Sequence, residues 1–247
     1  MLKDKDIREP LFDFLELTYG KTRIIEEKMM GMSRADVIMV ITSALVGIEI
    51  KSDADTYTRL ESQIKDYDKY FDYNIVVVGT SHAAHVTEHV PEYWGIITVE
   101  EAEGQADFYF LRRPTVNKKM KLGRKLELLW RPELSVLLDR FGMPKYKDKS
   151  KPFVRKAIIE WTKKPLTNAE ITRLKRAARA KGQEAKIPES RIIPDELNYE
   201  ISELLFERDY EKLLAEIAEY RKTHTPRRRG PKKSTRVRRI RRQAKSD

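Results

Sequence analysis

The chain contains no cysteine. Disulfide scaffolds, thiolate zinc sites, iron–sulfur clusters and thiol nucleophiles are therefore excluded. It also lacks any apolar run approaching the ~20 residues of a membrane-spanning helix. Its first ten residues, MLKDKDIREP, hold no apolar stretch of the kind a secretory leader needs. We expect neither a membrane anchor nor a leader, and an intracellular setting. No repeat of the solenoid kind recurs along the 247 residues. Hydrophobic residues make up 40% of the chain, enough for a core, while 36% are charged, so the surface is heavily ionic.

The net charge of +11 is unevenly placed. Residues 226–247 carry eleven Lys/Arg and one acid, which leaves the other 225 residues almost neutral. A detachable basic tail of this kind is an electrostatic footprint for a polyanion. Being rich in Pro, Arg and Lys, it cannot bury a core, and we expect it to be disordered in isolation.

Residues 4–19 read as an amphipathic helix with Ile7, Leu11, Phe14 and Leu15 on one stripe. Pro10 interrupts it, which predicts a helix start near that residue. Three apolar runs follow: Arg23–Met30, ended by the turn residue Gly31, then Arg34–Thr42 and Ala44–Ile50, both rich in β-branched residues with almost nothing between them, so an antiparallel meander is expected. Residues 56–71 are helical in spacing, through Leu60, Ile64, Tyr67 and Phe71. Asn74–Val78 and Gly95–Val99 are short continuous apolar runs of the kind found in strands buried on both faces. A helical stretch near Ala83–His89 lies between them. The expected order is αβββαβαβ, an α/β fold with a mixed central sheet over residues 1–115.

The chemistry concentrates in the meander. Glu49 and Lys51 stand two residues apart on one strand and so project from one face, with Ile48 and Ile50 turned the other way. Asp36 lies on the neighbouring strand of the hairpin, near enough to share that face. Two carboxylates beside a lysine offer hard oxygen ligands suited to Mg²⁺ or Mn²⁺. Such an ion polarises a phosphate and acidifies bound water, and the lysine can orient that water or neutralise developing charge. On spacing alone a solvent-facing Glu–Lys pair fits equally well, because E-x-K is a common triplet.

The wider pattern is more specific. An aspartate strand, an E-I-K strand and then a helix resembles the PD-(D/E)XK nuclease superfamily, whose fold is restriction-endonuclease-like. Arg34-Ala35-Asp36-Val37, Glu49-Ile50-Lys51-Ser52-Asp53, Asp55, Arg59-Leu60, Gln63, Tyr67, Asp72, Val78-Gly79, His82 and Pro91-Glu92-Tyr93-Trp94-Gly95 resemble one poorly characterised bacterial and phage family within it. The resemblance runs from about residue 6 to about 163. It implies that Asp36, Glu49 and Lys51 form a catalytic trio, with the Ile50 carbonyl joining Asp36 and Glu49 around the metal. It implies a supporting Gln63, with Tyr67 one helical turn on and turned to the site or the DNA. It also implies an upstream glutamate, for which Glu26 and Glu27 compete. A two-residue shortening of the family hairpin keeps side-chain parity and selects Glu27. Arg34 and Arg59 are expected either to contact phosphate or to brace the acidic site. His82, His85 and His89 share a helix face if that segment is helical, as a zinc site or as ordinary surface histidines. Trp94 reads as a packing residue, and Trp130 and Trp161 as part of the helical core.

After residue 115 the texture becomes helical. Residues 120–142 and 152–163 read as two helices joined by the loop KYKDKSK. Leu128-Leu129-Trp130-Arg131-Pro132-Glu133-Leu134, Leu137-Leu138, Gly142 and Ser150-Lys151 resemble a SAP-type DNA-binding module over residues 116–165. Lys147, Lys149 and Lys151 would meet phosphate near the start of the second helix. Helices near 167–181 and 195–221 complete a helical region over 166–224, ahead of the tail from residue 225 with Arg227, Arg228, Arg229, Lys232 and Lys233. TRLKRAARAK, residues 172–181, fits a phosphate-contacting face or the wet side of a bundle helix. The expected activity is Mg²⁺- or Mn²⁺-dependent hydrolysis of phosphodiester bonds in DNA, with a noncatalytic nucleic-acid-binding or assembly protein on the same fold as the alternative. The expected partner is DNA, with RNA second. A second copy of the chain or a motor or recombination protein are further candidates. The setting would be the cytoplasm of a bacterial cell or a phage-infected host.

Overall fold

The apolar runs between Arg23 and Lys51 form the expected meander in the computed structural model, which describes residues 2–223. The strands are β1 (Arg23–Met30), β2 (Ser33–Ile41) and β3 (Ala44–Lys51). Two further strands, β4 (Tyr73–Gly79) and β5 (Gly95–Ala102), add to β3 in parallel, and β6 (Gln105–Arg112) closes the row antiparallel to β5. The result is one six-stranded mixed sheet in the order β1-β2-β3-β4-β5-β6. β3 sits near the middle and is buried at every residue, which is why it can hold charged side chains away from water.

Helix α1 (Asp4–Tyr19) covers one face through Ile7, Leu11 and Leu15, against Val37, Met39, Val46, Ile48, Ile50, Ile75 and Val77. It runs through Pro10 rather than starting there. The proline withdraws one amide from the helical ladder, and burial of the stripe outweighs that loss. Helix α2 (Leu60–Tyr70), led in by a 3₁₀ turn at Tyr57–Arg59, covers the opposite face through Leu60, Ile64 and Tyr67. It approaches closely because position 47 is a glycine. A Cβ there would lie 2.1 Å from Phe71 Cδ2 and 2.7 Å from Tyr67 Cδ1. Gly47→Ala is therefore expected to lower stability by about 1–3 kcal/mol through overpacking, read by urea unfolding. An unchanged denaturation midpoint would show that α2 can back away without cost.

The expected helix around Ala83–His89 is two short turns, α3 (Thr80–Ala83) and α4 (Val86–His89). Strand β6 was not expected. Its signal is the turn Glu103-Gly104, where both residues have positive φ, 51° and 79°, the conformation of a tight hairpin. Beyond it Phe108 is buried and Phe110 packs beside it.

Past residue 115 the expected helix over 120–142 is broken. It comprises α5 (Leu122–Lys125), a 3₁₀ turn at Leu126–Leu128 and α6 (Arg131–Arg140). Pro132 sits in the first turn of α6, where its missing N–H does no harm. Helices α7 (Lys151–Trp161), α8 (Asn168–Ala180) and α9 (Pro194–Phe206) follow. Leu126, Leu129, Leu134, Leu137, Val154, Ile158, Leu197 and Ile201 share one apolar cluster with α2 and the sheet. The boundaries expected near residues 115 and 165 run through this shared core, and Met1–Arg208 forms one unit. A second unit, Asp209–Asp247, contains α10 (Tyr210–Thr223), so the single helix expected over 195–221 ends at Phe206 and restarts at Tyr210. The tail cations Arg227, Arg228, Arg229, Lys232 and Lys233 lie outside the described residues.

Candidate active site where two strands part

β2 and β3 pair from Ile41–Ala44 up to Val37–Ile48, and there the ladder stops. The next backbone groups find other partners. Ile50 N–H donates to Asp36 Oδ2 at 3.0 Å, so a side chain replaces the ladder carbonyl. Asp36 N–H donates to the Tyr67 hydroxyl at 3.2 Å, and the Asp36 carbonyl accepts from Arg8 Nη1 at 3.4 Å. The strands open around Asp36 while every one of these groups stays bonded.

Glu49 lies across that opening and is 1% exposed. Its Oε1 accepts from Lys51 Nζ at 2.6 Å and from Gln63 Nε2 at 2.5 Å. Its Oε2 accepts from the Tyr67 hydroxyl at 2.7 Å. Lys51 Nζ also donates to Gln63 Oε1 at 3.2 Å. Asp36, Glu49, Lys51, Gln63 and Tyr67 thus form one network fed by β2, β3 and α2. Glu49 and Lys51 do share a face, with Ile48 and Ile50 in the apolar layer on the other side.

The electrostatics are those of two crowded carboxylates. Burial, then the charge of Glu49, pushes Asp36 up to about 7. The Ile50 N–H, Lys51 and Arg8 act against that rise without cancelling it. Burial, with the nearby carboxylates adding to it, raises the Tyr67 hydroxyl well above the usual tyrosine value, so it serves as a neutral donor. An ordinary proton or a cation would relieve the pair.

The oxygen donors suit a hard divalent ion. Both Asp36 oxygens and Glu49 Oε2 keep lone-pair capacity beyond their present bonds, whereas Glu49 Oε1 is filled by two donors. Among the described residues no group of three or more His, Cys, Asp or Glu side chains could hold a metal. An ion here would rest on two carboxylates and the Ile50 carbonyl, with water completing its shell.

The other expected residues go to different places. Glu27 does not join the network: its Oε2 pairs with Arg34 Nη1 at 3.2 Å, both half-exposed. The parity argument that selected it fails because Glu27 itself has φ 49°. That left-handed residue turns the outer end of the hairpin over, so Glu26 meets Arg8 of α1 while Met30, of the same parity, packs in the opposite layer. Of the two glutamates, Glu26 is linked to Asp36, through Arg8 at 3.3 Å and 3.9 Å respectively. Arg8 was missed because on α1 it looks like any polar-face residue.

Tyr67 as a nucleic-acid contact is corrected: it is 0% exposed and its hydroxyl is committed to Glu49. Arg59 is exposed at the start of α2. Lys147 and Lys149 are exposed and Lys151 is half-buried at the start of α7. His82 and His89 flank the Tyr57 ring at 4.8 and 4.1 Å, and His85 lies 3.4 Å from Glu88, so these three are engaged with an aromatic and an acid. Trp94 is fully buried and donates to Asp68 at 3.1 Å, a packing role. Helix α8 has no buried residue, so Arg173, Lys175, Arg176 and Arg179 stand in solvent.

Comparison with known proteins gives one family. The family model described as "Bacteriophage P4 protein cII" matches residues 2–199. Among curated proteins the chain is similar to protein cII of Enterobacteria phage P4, 23% identical over 146 residues. The match covers 58% of this chain and 55% of the phage protein, so it spans about half the length of that relative. No solved structure matches. Among the described residues no helix is long and apolar enough to cross a membrane.

Proposed function

The chain belongs to the bacteriophage P4 protein cII family, and on that premise we propose that it is a divalent-metal-dependent nuclease acting on DNA, built on a restriction-endonuclease-like sheet. The observation that carries the reading is the parting of β2 and β3 around Asp36, with Glu49 and Lys51 held opposite in one hydrogen-bonded network. The family name states no activity, so the chemistry rests on this geometry.

Asp36, Glu49 and the Ile50 carbonyl would hold Mg²⁺ or Mn²⁺, which when bound supplies charge neutralisation and acidification of water. The chain's own residues do the rest. Lys51, fixed between Glu49 and Gln63, presents a positive charge that stabilises developing negative charge on a phosphate or orients the attacking water. Gln63 holds the Glu49 carboxylate in place from α2, and Tyr67 does so from below while keeping its proton. Arg8 steadies the Asp36 backbone and carboxylate. Arg34, Arg59 and the loop lysines 147 and 149 are surface cations suited to backbone phosphates.

A second reading, a noncatalytic nucleic-acid-binding or assembly protein on this fold, draws on one feature. Both Glu49 oxygens already carry donors, and no third carboxylate is gathered nearby among the described residues.

The two readings separate on Asp36→Asn. Linear, circular, single-stranded and branched DNA are incubated with Mg²⁺ or Mn²⁺. The nuclease reading expects cleavage by the wild type and none by the variant. Stability gives a second readout. Asp36 holds its proton to about 7 in the fold but only to the ordinary carboxylate range when unfolded. Its contribution is therefore present at low pH, declines as pH rises from about 4 to about 7, and stays lost above that. Asp36→Asn should raise the unfolding free energy at pH 8 by a few kcal/mol and change it little at pH 4. Mn²⁺ should raise the melting temperature of the wild type but not of the variant. Absence of both cleavage and a Mn²⁺ shift in the wild type would favour the noncatalytic reading.

A further inference from the structure

Away from the carboxylate network, a second group of charges is left uncompensated. Lys28 on β1 and Lys151 in the first turn of α7 are half-buried, and neither has an ion pair or hydrogen bond among the described residues. Lys28 Nζ lies 5.9 Å from the centre of the Trp130 ring, and the Arg208 guanidinium lies 5.5 Å from the same ring. Arg155 stands one helical turn beyond Lys151 on α7 and reaches Glu127 at 3.6 Å. The acid that attracts both lysines, Glu133, is 5% exposed and already gripped by Arg208 at 2.7 and 2.8 Å.

Lys28, Lys151, Arg155 and Arg208 thus have two carboxylates among them, Glu127 and Glu133, and both are engaged, Glu127 also by Arg124 at 3.3 Å. Burial pushes Lys28 below the ordinary lysine value, and Arg208 adds to it. Burial likewise lowers Lys151, with Arg155, Lys28 and Arg208 adding repulsion against the opposing Glu133. Outside the tail the chain holds as many acids as bases to within one, so a local cluster of positive charge is not a reflection of overall charge. Exposed Lys147 and Lys149 stand on the loop just before Lys151 and add two more cations along the chain. Lys151 is the first residue of the eleven-residue α7, whose N-terminus adds its own positive potential.

We propose that Lys28, beside Trp130, together with Lys151 and Arg155, one turn apart at the start of α7, binds a backbone phosphate of a nucleic-acid strand that continues along Lys147 and Lys149. The site rests on the nucleic-acid substrate proposed above and gives that substrate a second anchor, distinct from Asp36 and Glu49. A phosphate diester supplies the missing negative charge, and the half-buried setting makes each contact stronger than one made by a fully solvated lysine.

The test uses the full chain in EDTA, so that no cleavage intervenes. Lys28→Met with Lys151→Met removes both charges while keeping the volume. Fluorescence anisotropy with a labelled short duplex should show affinity about 10–50-fold weaker at ~100 mM salt, and a log–log salt slope shallower by about two. The melting temperature of the free double variant should hold or rise, because repulsion has been relieved. Lys28→Arg with Lys151→Arg should restore binding. If the wild type binds and the Met variant binds equally with the same slope, the site is wrong and the nuclease reading stands. If the wild type binds no DNA, both fall. If inorganic phosphate raises the wild-type melting temperature while the Met variant keeps its DNA affinity, the cluster serves a small phosphate ligand and the nucleic-acid assignment is overturned. A sharp drop in the melting temperature of the Met variant would mark the lysines as structural and also overturn it.

Discussion

Lys51→Met is expected to lose DNA cleavage by about 10²–10⁴-fold in kcat, with DNA affinity changed by less than about twofold. The lysine is 4% exposed, and its ammonium is placed by two acceptors, Glu49 Oε1 at 2.6 Å and Gln63 Oε1 at 3.2 Å. A buried ammonium beside an acidic pair is matched to charge that grows during reaction rather than to ground-state binding. Methionine fills the same volume, so packing under α2 survives. Glu49 keeps its bonds from Gln63 and Tyr67. The variant should still gain thermal stability from Mn²⁺, because neither oxygen ligand has been touched. Single-turnover cleavage with saturating enzyme separates the chemical step from binding. A wild-type rate in Lys51→Met would remove the lysine from the mechanism and with it the main reason to read the strand end as a nuclease site.

The strands that carry this site were legible because their signals are local. β2 and β3 are short β-branched runs, and the two-residue period alone puts Glu49 with Lys51 and Ile48 with Ile50. Where the reading failed, the cause was long-range or conformational. Glu27 was selected by parity, and parity holds only while φ stays extended. A single left-handed residue, Glu27 itself at 49°, reversed the outer hairpin and brought Glu26 toward Arg8. Arg8 lies 28 residues before Asp36, and nothing in α1 marks it out from the other polar-face residues. Tyr67 was placed on the correct helix and spacing, but α2 lies so close over Gly47 that the ring is enclosed. β6 was missed although Glu103-Gly104 is a usable turn signal, because Asp107-Phe108-Tyr109-Phe110 mixes its apolar residues onto both faces.

The break in texture near residue 115 misled for the same reason: composition shifts say nothing about pairing across long separations. Asp72, just ahead of β4, accepts from Leu45 N–H at 2.6 Å, from Lys125 Nζ at 2.5 Å and from Asn198 Nδ2 at 2.9 Å. These partners come from β3, α5 and α9. Lys125 is 0% exposed and also donates to Asn198 Oδ1 at 2.5 Å. Burial lowers the lysine's proton affinity, and Asp72 opposes that by attraction and hydrogen bonding. The pair therefore ties the helical region to the sheet from inside the shared core.

Lys125→Met is accordingly expected to lower the unfolding free energy by about 3–5 kcal/mol, since it leaves the Asp72 carboxylate buried without its cation. The loss should exceed that of any surface lysine, such as Lys65 beside Glu61, where water screens the pair. Asp72→Asn combined with Lys125→Met removes both charges and should recover much of the loss, because the asparagine oxygen can still accept from Leu45 N–H. Urea unfolding of the two single variants and the double closes the cycle. A single-variant loss below about 1 kcal/mol would mean that water or Asn198 compensates Asp72, and that the helices are held to the sheet by apolar burial alone.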